Sequence, residues 1–174
     1  MLNSVYNKFS EVLFMERGST LILKIAVILM GLPVLAVCIF VVPQIAMYSA
    51  ELYPDFAIIK YLMFIVMYGA AIPFYIALYQ AFKLLSYIDK NKAFSQISVQ
   101  ALKNIKFSAI AISILYVVGM PLFYMFAERD DAPGVILIAA VFVFAPLVVA
   151  VFAAVLQRLL QEAINIKSEN DLTV

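Results

Sequence analysis

Four long stretches of this chain contain no charged residue, and they restrict its fold more than any other feature. They cover residues 25–50, 61–82, 107–127 and 132–157. Each is long enough to cross a hydrocarbon core of about 30 Å as a helix, which takes roughly 20 residues. Lipid-spanning structures are helices or closed barrels, and these stretches lack the alternation of barrel strands. The sequence therefore predicts an all-α integral membrane bundle of four transmembrane helices.

The composition agrees with a single membrane domain over residues 1–174. The chain is 66% hydrophobic and 13% charged, whereas a soluble domain is about half apolar and about a quarter charged. The first stretch is too long for the apolar part of a signal peptide, so we expect it to remain in the mature protein. We expect spans at about 21–50, 57–82, 107–127 and 133–160, a loop at 83–106 and a tail at 161–174.

The basic residues are distributed very unequally between the two sides of such a topology. Lys60 and Arg129 fall on one side, among five acidic residues. The other ten fall on the opposite side: Lys8, Arg17, Lys24, Lys83, Lys90, Lys92, Lys103, Lys106, Arg158 and Lys167. Because basic residues concentrate on the cytoplasmic side of membrane proteins, both termini and the 83–106 loop are predicted to lie in the cytoplasm.

Two further helical segments are predicted outside the spans. Before the first span, Val5, Phe9, Val12 and Leu13 recur at helical spacing, which indicates an interfacial N-terminal helix. The sequence "RGST", residues 17–20, is expected to end that helix, with Ser19 or Thr20 capping the first span.

The second segment lies in the 83–106 loop. Ser95 is predicted to cap a helix that continues into the third span. That helix would place four apolar residues along one side: Ile97, Ala101, Leu102 and Ile105.

Residues suited to catalysis or ion coupling are missing from the spans. The charge-free stretches hold no titratable acid or base, and the chain has no His and one Cys. Proton relays and general acid–base catalysis need such groups, so we expect no enzyme activity and no cofactor. The acids Glu128, Asp130 and Asp131 are expected to cap helices rather than bind a metal ion. Cys38 is expected to be a small buried apolar residue.

Proline occurs inside every span, at Pro33, Pro73, Pro121 and Pro146. Membrane helices tolerate such prolines when neighbouring groups bond the freed carbonyls. A proline in all four spans favours a kinked bundle, and these four residues are candidate hinges. Small residues beside them, such as Gly69 and Gly119, are predicted to bring helix backbones close together.

Several polar side chains also fall within the spans. Two interpretations remain open for them: they line an internal polar seam, or they bond neighbouring helices. The set is Gln44, Tyr68, Tyr75, Tyr79, Gln80, Ser113 and Tyr116.

The 83–106 loop is the strongest candidate for contact with a partner. It carries five lysines and one acid, Asp89. Attraction to anionic lipid, worth about 1 kcal/mol per basic residue, accounts for this charge, and a docked soluble protein is the alternative. Direct binding of nucleic acid is not expected, because the patch is small and interrupted by apolar residues.

The sequence "YIDKNKAFSQISVQALKNIKFSA" and the tail "SENDLTV" resemble a family of small bacterial membrane proteins called domain of unknown function twenty-nine seventy-five. The resemblance extends from the first span to the end, and "DKNKAFS" and "ENDLTV" are its most distinctive parts. Members resemble four-span proteins that are often encoded beside a small helix-turn-helix regulator. The residues matching the family pattern are Lys90, Asn91, Lys92, Phe94, Ser95 and 169–174.

The resemblance implies a non-enzymatic membrane protein whose loop and tail bind such a regulator. The candidate contact residues are Lys83, Asp89, Lys90, Asn91, Lys92, Phe94, Ser95, Lys103, Lys106, Glu169, Asn170 and Asp171. The alternative is a transport or immunity-type protein for a membrane-active peptide or small solute. The lipid bilayer is a partner in either case, and a homo-oligomer remains open.

Overall fold

A computed structural model of the chain describes the backbone of residues 2–172 and the side chains of residues 18–170. Within that range every regular element is helical. The elements are α1 (Leu2–Ala36), a π-helical segment (Val37–Val41), α2 (Val42–Leu52), α3 (Ile58–Asp89), α4 (Gln96–Arg129) and α5 (Gly134–Leu172). Four helical stretches are long and apolar enough to cross a membrane: Gly18–Leu52, Ile58–Asp89, Gln96–Arg129 and Gly134–Asn170. The prediction of an all-α chain with four such helices is confirmed.

The predicted break before the first span is wrong. Helix α1 is continuous from Leu2 to Ala36, so Ser19 and Thr20 lie inside it rather than at its cap. A single Gly in a helix costs only about 1 kcal/mol, and Gly18 is therefore too weak a signal to end a long apolar helix. The predicted interfacial placement of residues 5–13 lies outside the described side chains.

The first span changes its helical geometry just before Pro43. Within the π-helical segment, the Val42 N–H donates to the Val37 carbonyl instead of the Cys38 carbonyl. The next residue, Pro43, has no N–H to donate. The Cys38 carbonyl thus loses both backbone donors, and the Tyr68 hydroxyl of α3 donates to it at 2.8 Å. A π segment beside a proline is a recognised way for a helix to absorb the missing bond.

The spans lie side by side in chain order and form an open row. Helix α4 packs between α3 and α5, and α3 also contacts α1 and α2. Among the described residues, α5 contacts α4 alone, so α1 and α5 form the two edges of the row. The core lies at the α3–α4–α5 contacts, around Met63, Ile112, Tyr116 and Val143. Short connections between consecutive helices favour this neighbour-to-neighbour packing.

Close backbone approach was predicted at Gly119 and is confirmed there. A Cβ atom at this position of α4 would lie 2.6 Å from Val66 Cγ1 of α3. Gly69 is less crowded, since the nearest atom to its added Cβ is Leu115 Cδ1 at 3.8 Å. The two glycines therefore align Val66 of α3 with Gly119 of α4 and Gly69 of α3 with Leu115 of α4. The contact at Gly119 is the tighter one.

The connections differ at the two ends of the row. Residues 53–57 and 130–133 join the helices at one end, and Asp131 adopts a positive φ of 51° in the second of these turns. At the other end, most of residues 83–106 belong to α3 and α4, so the non-helical connector is only 90–95. Helices α3, α4 and α5 continue through Pro73, Pro121 and Pro146. The proposed hinge role of the prolines stays a prediction.

Candidate functional site

We call the end of the row that carries residues 18–24, 83–106 and 158–170 the lysine end. The opposite end, with residues 48–60 and 125–134, is the acidic end. The candidate contact residues belong to the lysine end, because α3 and α5 finish there and α4 begins there. Whether its parts form a contact surface depends on the geometry of connector 90–95.

The connector is a tight turn held by its own hydrogen bonds. The Lys92 N–H donates to the Tyr87 carbonyl at 2.8 Å, and Asn91 adopts a positive φ of 56°. Asn is among the residues that tolerate this left-handed conformation best. The hydroxyls of Ser95 and Ser98 both donate to the Lys92 carbonyl, at 2.6 and 3.1 Å. The turn is thus held by hydrogen bonds among its own residues and the adjoining ends of α3 and α4.

Ser95 occupies the predicted N-cap position of α4, but its side chain acts differently. Its backbone is extended, and its carbonyl accepts from the Ser98 and Val99 N–H groups. The hydroxyl points back into the connector rather than accepting from the first turn of α4. Of the four residues predicted to share one side of α4, Ala101 and Leu102 are buried, Ile105 is half-buried and Ile97 is exposed. The predicted apolar side is therefore rotated, and it includes Ser98 and Val99.

Most connector residues that match the family pattern are exposed. Lys90, Asn91 and Lys92 are exposed, and the Phe94 side chain is 62% exposed. The charge-free part of α3 ends at Phe82, and the helix continues to Asp89. At 1.5 Å per residue the connector lies about 12 Å beyond that boundary. The headgroup layer is only about 5–7 Å thick, so this length of helix is enough to carry the connector past the headgroups.

The remaining lysines differ in their surroundings. Lys103 is exposed on α4, whereas Lys83 and Lys106 are half-buried. The Lys83 ammonium lies 4.8 Å from the centre of the Tyr79 ring, close to the membrane boundary. Lys106 donates to Gln157 Oε1 at 3.1 Å and links α4 to α5. Lys83 and Lys106 thus contact side chains of the bundle, whereas Lys90, Lys92 and Lys103 are exposed.

Asp89 has partners within the chain, which the sequence did not reveal. Its carboxylate accepts from the Lys24 ammonium and from the Thr20 hydroxyl, and this ties α1 to the end of α3. The pair is partly buried, with the Lys24 and Asp89 side chains 19% and 26% exposed. One signal was available: Asp89 is the single acid among the lysines of residues 83–106.

The tail continues α5 rather than forming a separate segment. Glu169 and Asn170 are exposed near the end of α5, which runs to Leu172. The side chain of Asp171 lies outside the described side chains. From Arg158 to Leu172 the helix extends about 22 Å beyond the charge-free part of the span. Arg158 and Glu162 form an exposed ion pair at 3.0 Å on this extension, which contributes less than about 1 kcal/mol.

At the acidic end two tyrosine hydroxyls bond groups of α4 and the turn that follows it. The Tyr48 hydroxyl donates to Asp130 Oδ1 at 2.7 Å, and the Tyr53 hydroxyl donates to the Met125 carbonyl at 2.9 Å. The Arg129 guanidinium lies 5.1 Å from the centre of the Tyr53 ring. Among residues 18–170, no three His, Cys, Asp or Glu side chains are arranged to hold a metal ion.

A groove of about 640 Å³ opens on the side of α3 that faces the first span. It is lined by Cys38, Tyr68, Ala71, Ile72, Tyr75, Ile76 and Tyr79. The Tyr68 and Tyr75 hydroxyls donate to the Cys38 and Gly31 carbonyls of the first span. Cys38, expected to be buried, is partly exposed at the groove.

These bonds favour one of the two interpretations of the polar residues in the spans. Tyr68, Tyr75 and Ser113 all bond carbonyls of a neighbouring helix, the last at Val143. Tyr116 is buried and stacks on the Phe142 ring at 5.1 Å between centres. Gln44 is exposed. Interhelical bonding, not a continuous seam, describes the three hydroxyls.

Comparison with known proteins identifies the chain's relatives. The family model described as "Protein of unknown function (DUF2975)" matches residues 44–174. The chain belongs to the DUF2975 family. It is also 69% identical over 160 residues to the uncharacterized membrane protein YoaS of Bacillus subtilis (strain 168), a match that covers 92% of this chain and 100% of that relative. No solved structure matches.

The part of the chain that matches the DUF2975 model contains the connector, Asp89 and the end of α5. It begins at residue 44 and therefore excludes Lys24, the partner of Asp89. As a DUF2975 protein with four membrane-spanning helices, the chain is a multi-pass membrane protein in contact with the lipid bilayer.

Proposed function

We propose that the lysine end faces the cytoplasm of a bacterial cell and binds a small soluble helix-turn-helix transcription regulator. In this role the protein is non-enzymatic: it holds the regulator at the membrane or releases it. The location is supported by the ten basic residues that the sequence assigns to this side. The kind of partner is supported by the resemblance to a family often encoded beside such regulators.

One observation carries the proposal: an exposed phenylalanine lies among exposed lysines, in an ordered turn, beyond the headgroup layer. Phe94 is 62% exposed in water, where a large apolar side chain has no lipid to cover it. An aromatic residue ringed by polar groups is typical of protein contact surfaces. Because the connector is already ordered by its hydrogen bonds, binding would cost little conformational entropy.

The charges restrict the surface that the partner must offer. Lys90 and Lys92 precede Phe94 on the connector, and Lys103 is exposed on α4. A partner with an apolar pocket bordered by carboxylates would complement them. Glu169 and Asn170 on α5 add polar groups at the other margin. The DNA-binding face of a regulator is basic, so the partner would bind through a different face.

The orientation is tested with single cysteines at two matched phenylalanines. Phe56 of the acidic end and Phe94 of the lysine end are both 62% exposed. In a Cys38→Ser background, a membrane-impermeant maleimide should label Phe56→Cys in intact cells and Phe94→Cys only after lysis. Labelling of Phe94→Cys in intact cells would reverse the orientation and remove the cytoplasmic partner.

The binding itself is tested by co-purification from membranes with the regulator encoded beside the gene. Phe94→Ala should weaken recovery of the regulator at least tenfold, since buried aromatic anchors contribute about 2 kcal/mol or more. Lys90→Gln with Lys92→Gln should weaken it further at low salt. Phe56→Ala is the matched control and should leave recovery unchanged. Equal recovery with Phe94→Ala and Phe56→Ala would contradict the proposal.

Transport of a small solute or protection against a membrane-active peptide is the second candidate. The groove beside α3 supports it, because the lining lies within the charge-free part of α3 and beside the first span. The geometry supports it less than partner binding, since Tyr68 and Tyr75 use their hydroxyls on backbone carbonyls. Deleting the gene should raise sensitivity to a membrane-active peptide if this function is the true one, and unchanged sensitivity would remove it.

A further inference from the structure

The groove beside α3 has the character of a hydrocarbon site. Its lining residues on α3 recur at positions 68, 71, 72, 75, 76 and 79, which is one continuous stripe of a helix. The two hydroxyls of Tyr68 and Tyr75 point toward the first span, where each donates to a carbonyl. What remains for an occupant is ring surface and aliphatic side chains. An apolar chain fits this lining better than a polar solute does.

The length of the groove matches one leaflet of a bilayer. From Tyr79 to Tyr68 the stripe covers eleven residue steps, or about 16 Å along the helix axis. Half of a hydrocarbon core is about 15 Å. Tyr79 lies near the end of the charge-free part of α3, and Tyr68 lies near its middle. The groove thus runs from the membrane boundary at the lysine end to about the bilayer centre.

A cation lies at the end of the groove that is nearest the lysine end. The Lys83 ammonium is 4.8 Å from the centre of the Tyr79 ring, which is the last residue of the lining. Among the described side chains, the carboxylate nearest in sequence, Asp89, pairs with Lys24 instead, and no ion pair includes Lys83. Lys83 therefore supplies positive charge at the depth of lipid phosphates, where basic residues attract anionic lipid.

We propose that this groove binds one acyl chain of an anionic phospholipid from the leaflet at the lysine end, with the phosphate on Lys83. The chain would lie along Tyr79, Ile76, Ile72 and Tyr68 and end beside Cys38. The site is separate from the surface proposed for the regulator. Lys83 lies at the membrane boundary, whereas Lys90 and Lys92 lie about 10 Å farther out, as helix geometry requires.

The chain contains no Trp, so one introduced Trp can report on the groove alone. Ile72→Trp places the reporter in the groove, and Phe144→Trp on α5 is the control. The two positions are matched in exposure, at 65% each. They are also matched in depth, because Gly69 faces Leu115 and Ser113 bonds Val143. Each variant is reconstituted into phosphatidylcholine vesicles that contain equal small fractions of brominated phosphatidylglycerol or brominated phosphatidylcholine.

For Ile72→Trp we expect quenching to report about fivefold preference for brominated phosphatidylglycerol, the selectivity that one basic residue gives near a phosphate. Phe144→Trp should show no preference. Adding Lys83→Gln should abolish the preference, and Lys83→Arg should retain it. Lys103→Gln, which removes an equal charge elsewhere at the lysine end, should leave it intact. Native mass spectrometry of the unaltered chain should show one retained phosphatidylglycerol that Lys83→Gln loses.

Three results would overturn the lipid site. Equal quenching of Ile72→Trp by the two brominated lipids would show bulk lipid in the groove. A preference that persists in Lys83→Gln would remove the proposed phosphate contact. Absence of quenching, together with oxidative dimerisation through Cys38, would show that a second copy of the chain covers the groove. None of these outcomes depends on whether Phe94 binds a regulator.

Discussion

Both ends of the molecule hold bonded polar side chains, but they differ in how far their helices project. At the acidic end, the helices finish close to the limits of the charge-free stretches, and Tyr48 bonds Asp130. At the lysine end, α3, α4 and α5 extend beyond their charge-free stretches, and Lys90, Lys92 and Phe94 are exposed. Both ends carry a phenylalanine of equal exposure, so exposure alone does not distinguish them.

What distinguishes the ends is how far they project and what surrounds the exposed residues. Residues 53–57 and 130–133 are too short to form a surface larger than a turn. The lysine end combines an ordered connector with three helical extensions of roughly 10 to 20 Å. Such a projection needs support on its inner side, which Lys24 and Asp89 supply. This comparison predicts that the free energy of unfolding falls when the Lys24–Asp89 pair is broken. Substitution of the exposed connector residues should leave it unchanged.

The largest effect on stability should come from Asp89→Ala. Breaking a partly buried ion pair leaves Lys24 without its partner, and we expect a loss of about 2–3 kcal/mol in the free energy of unfolding. Asp130→Ala at the acidic end removes the exposed Tyr48 contact and should cost less than about 1 kcal/mol. Thermal unfolding in detergent measures both variants.

The double variant Lys24→Met with Asp89→Leu sharpens this prediction. Apolar replacements remove both charges together, so they should restore much of the stability that Asp89→Ala loses. If Asp89→Ala and Asp130→Ala lose equal amounts, the proposed difference in support between the two ends is wrong.

The sequence predicts the parts of this fold that depend on local hydrophobicity. Charge-free stretches locate the four spans, and the small residue Gly119 locates a close approach between α3 and α4. The same local reasoning places Ser95 at the start of α4, although not the bonding of its hydroxyl.

The relations between helices could not be predicted in the same way. The pairing of Lys24 with Asp89 depends on the rotation and register of α1 against α3, which no local pattern specifies. The π segment adjoins Pro43, and Tyr68 of α3 bonds the Cys38 carbonyl that the segment and the proline leave free. For the candidate site, the sequence locates the connector, but only the structure separates Lys83 at the membrane from Lys90 and Lys92 in water.

The second-largest effect on stability should come from the α3–α4 contact that lies between the two ends of the row. Gly119→Ala should destabilise the protein by about 2 kcal/mol, because the added methyl overlaps Val66, a β-branched and buried side chain. Gly134→Ala is the matched control, since no atom lies within 4 Å of its added Cβ. That substitution should be neutral or stabilising by up to about 1 kcal/mol. A neutral Gly119→Ala would show that α3 and α4 can separate without cost.

The smallest effect should come from a hydroxyl at the acidic end. Tyr53→Phe removes the bond to the Met125 carbonyl and should cost about 0.5–1 kcal/mol, because water can replace the lost donor there. Tyr61→Phe is the control, since this side chain is 62% exposed and no hydrogen bond to it is found among the described residues. It should change stability by less than about 0.5 kcal/mol. Unfolding of the two variants in parallel measures how much the bonded polar groups of the acidic end contribute. A loss with Tyr53→Phe as large as that with Asp89→Ala would mean that both ends need internal support equally.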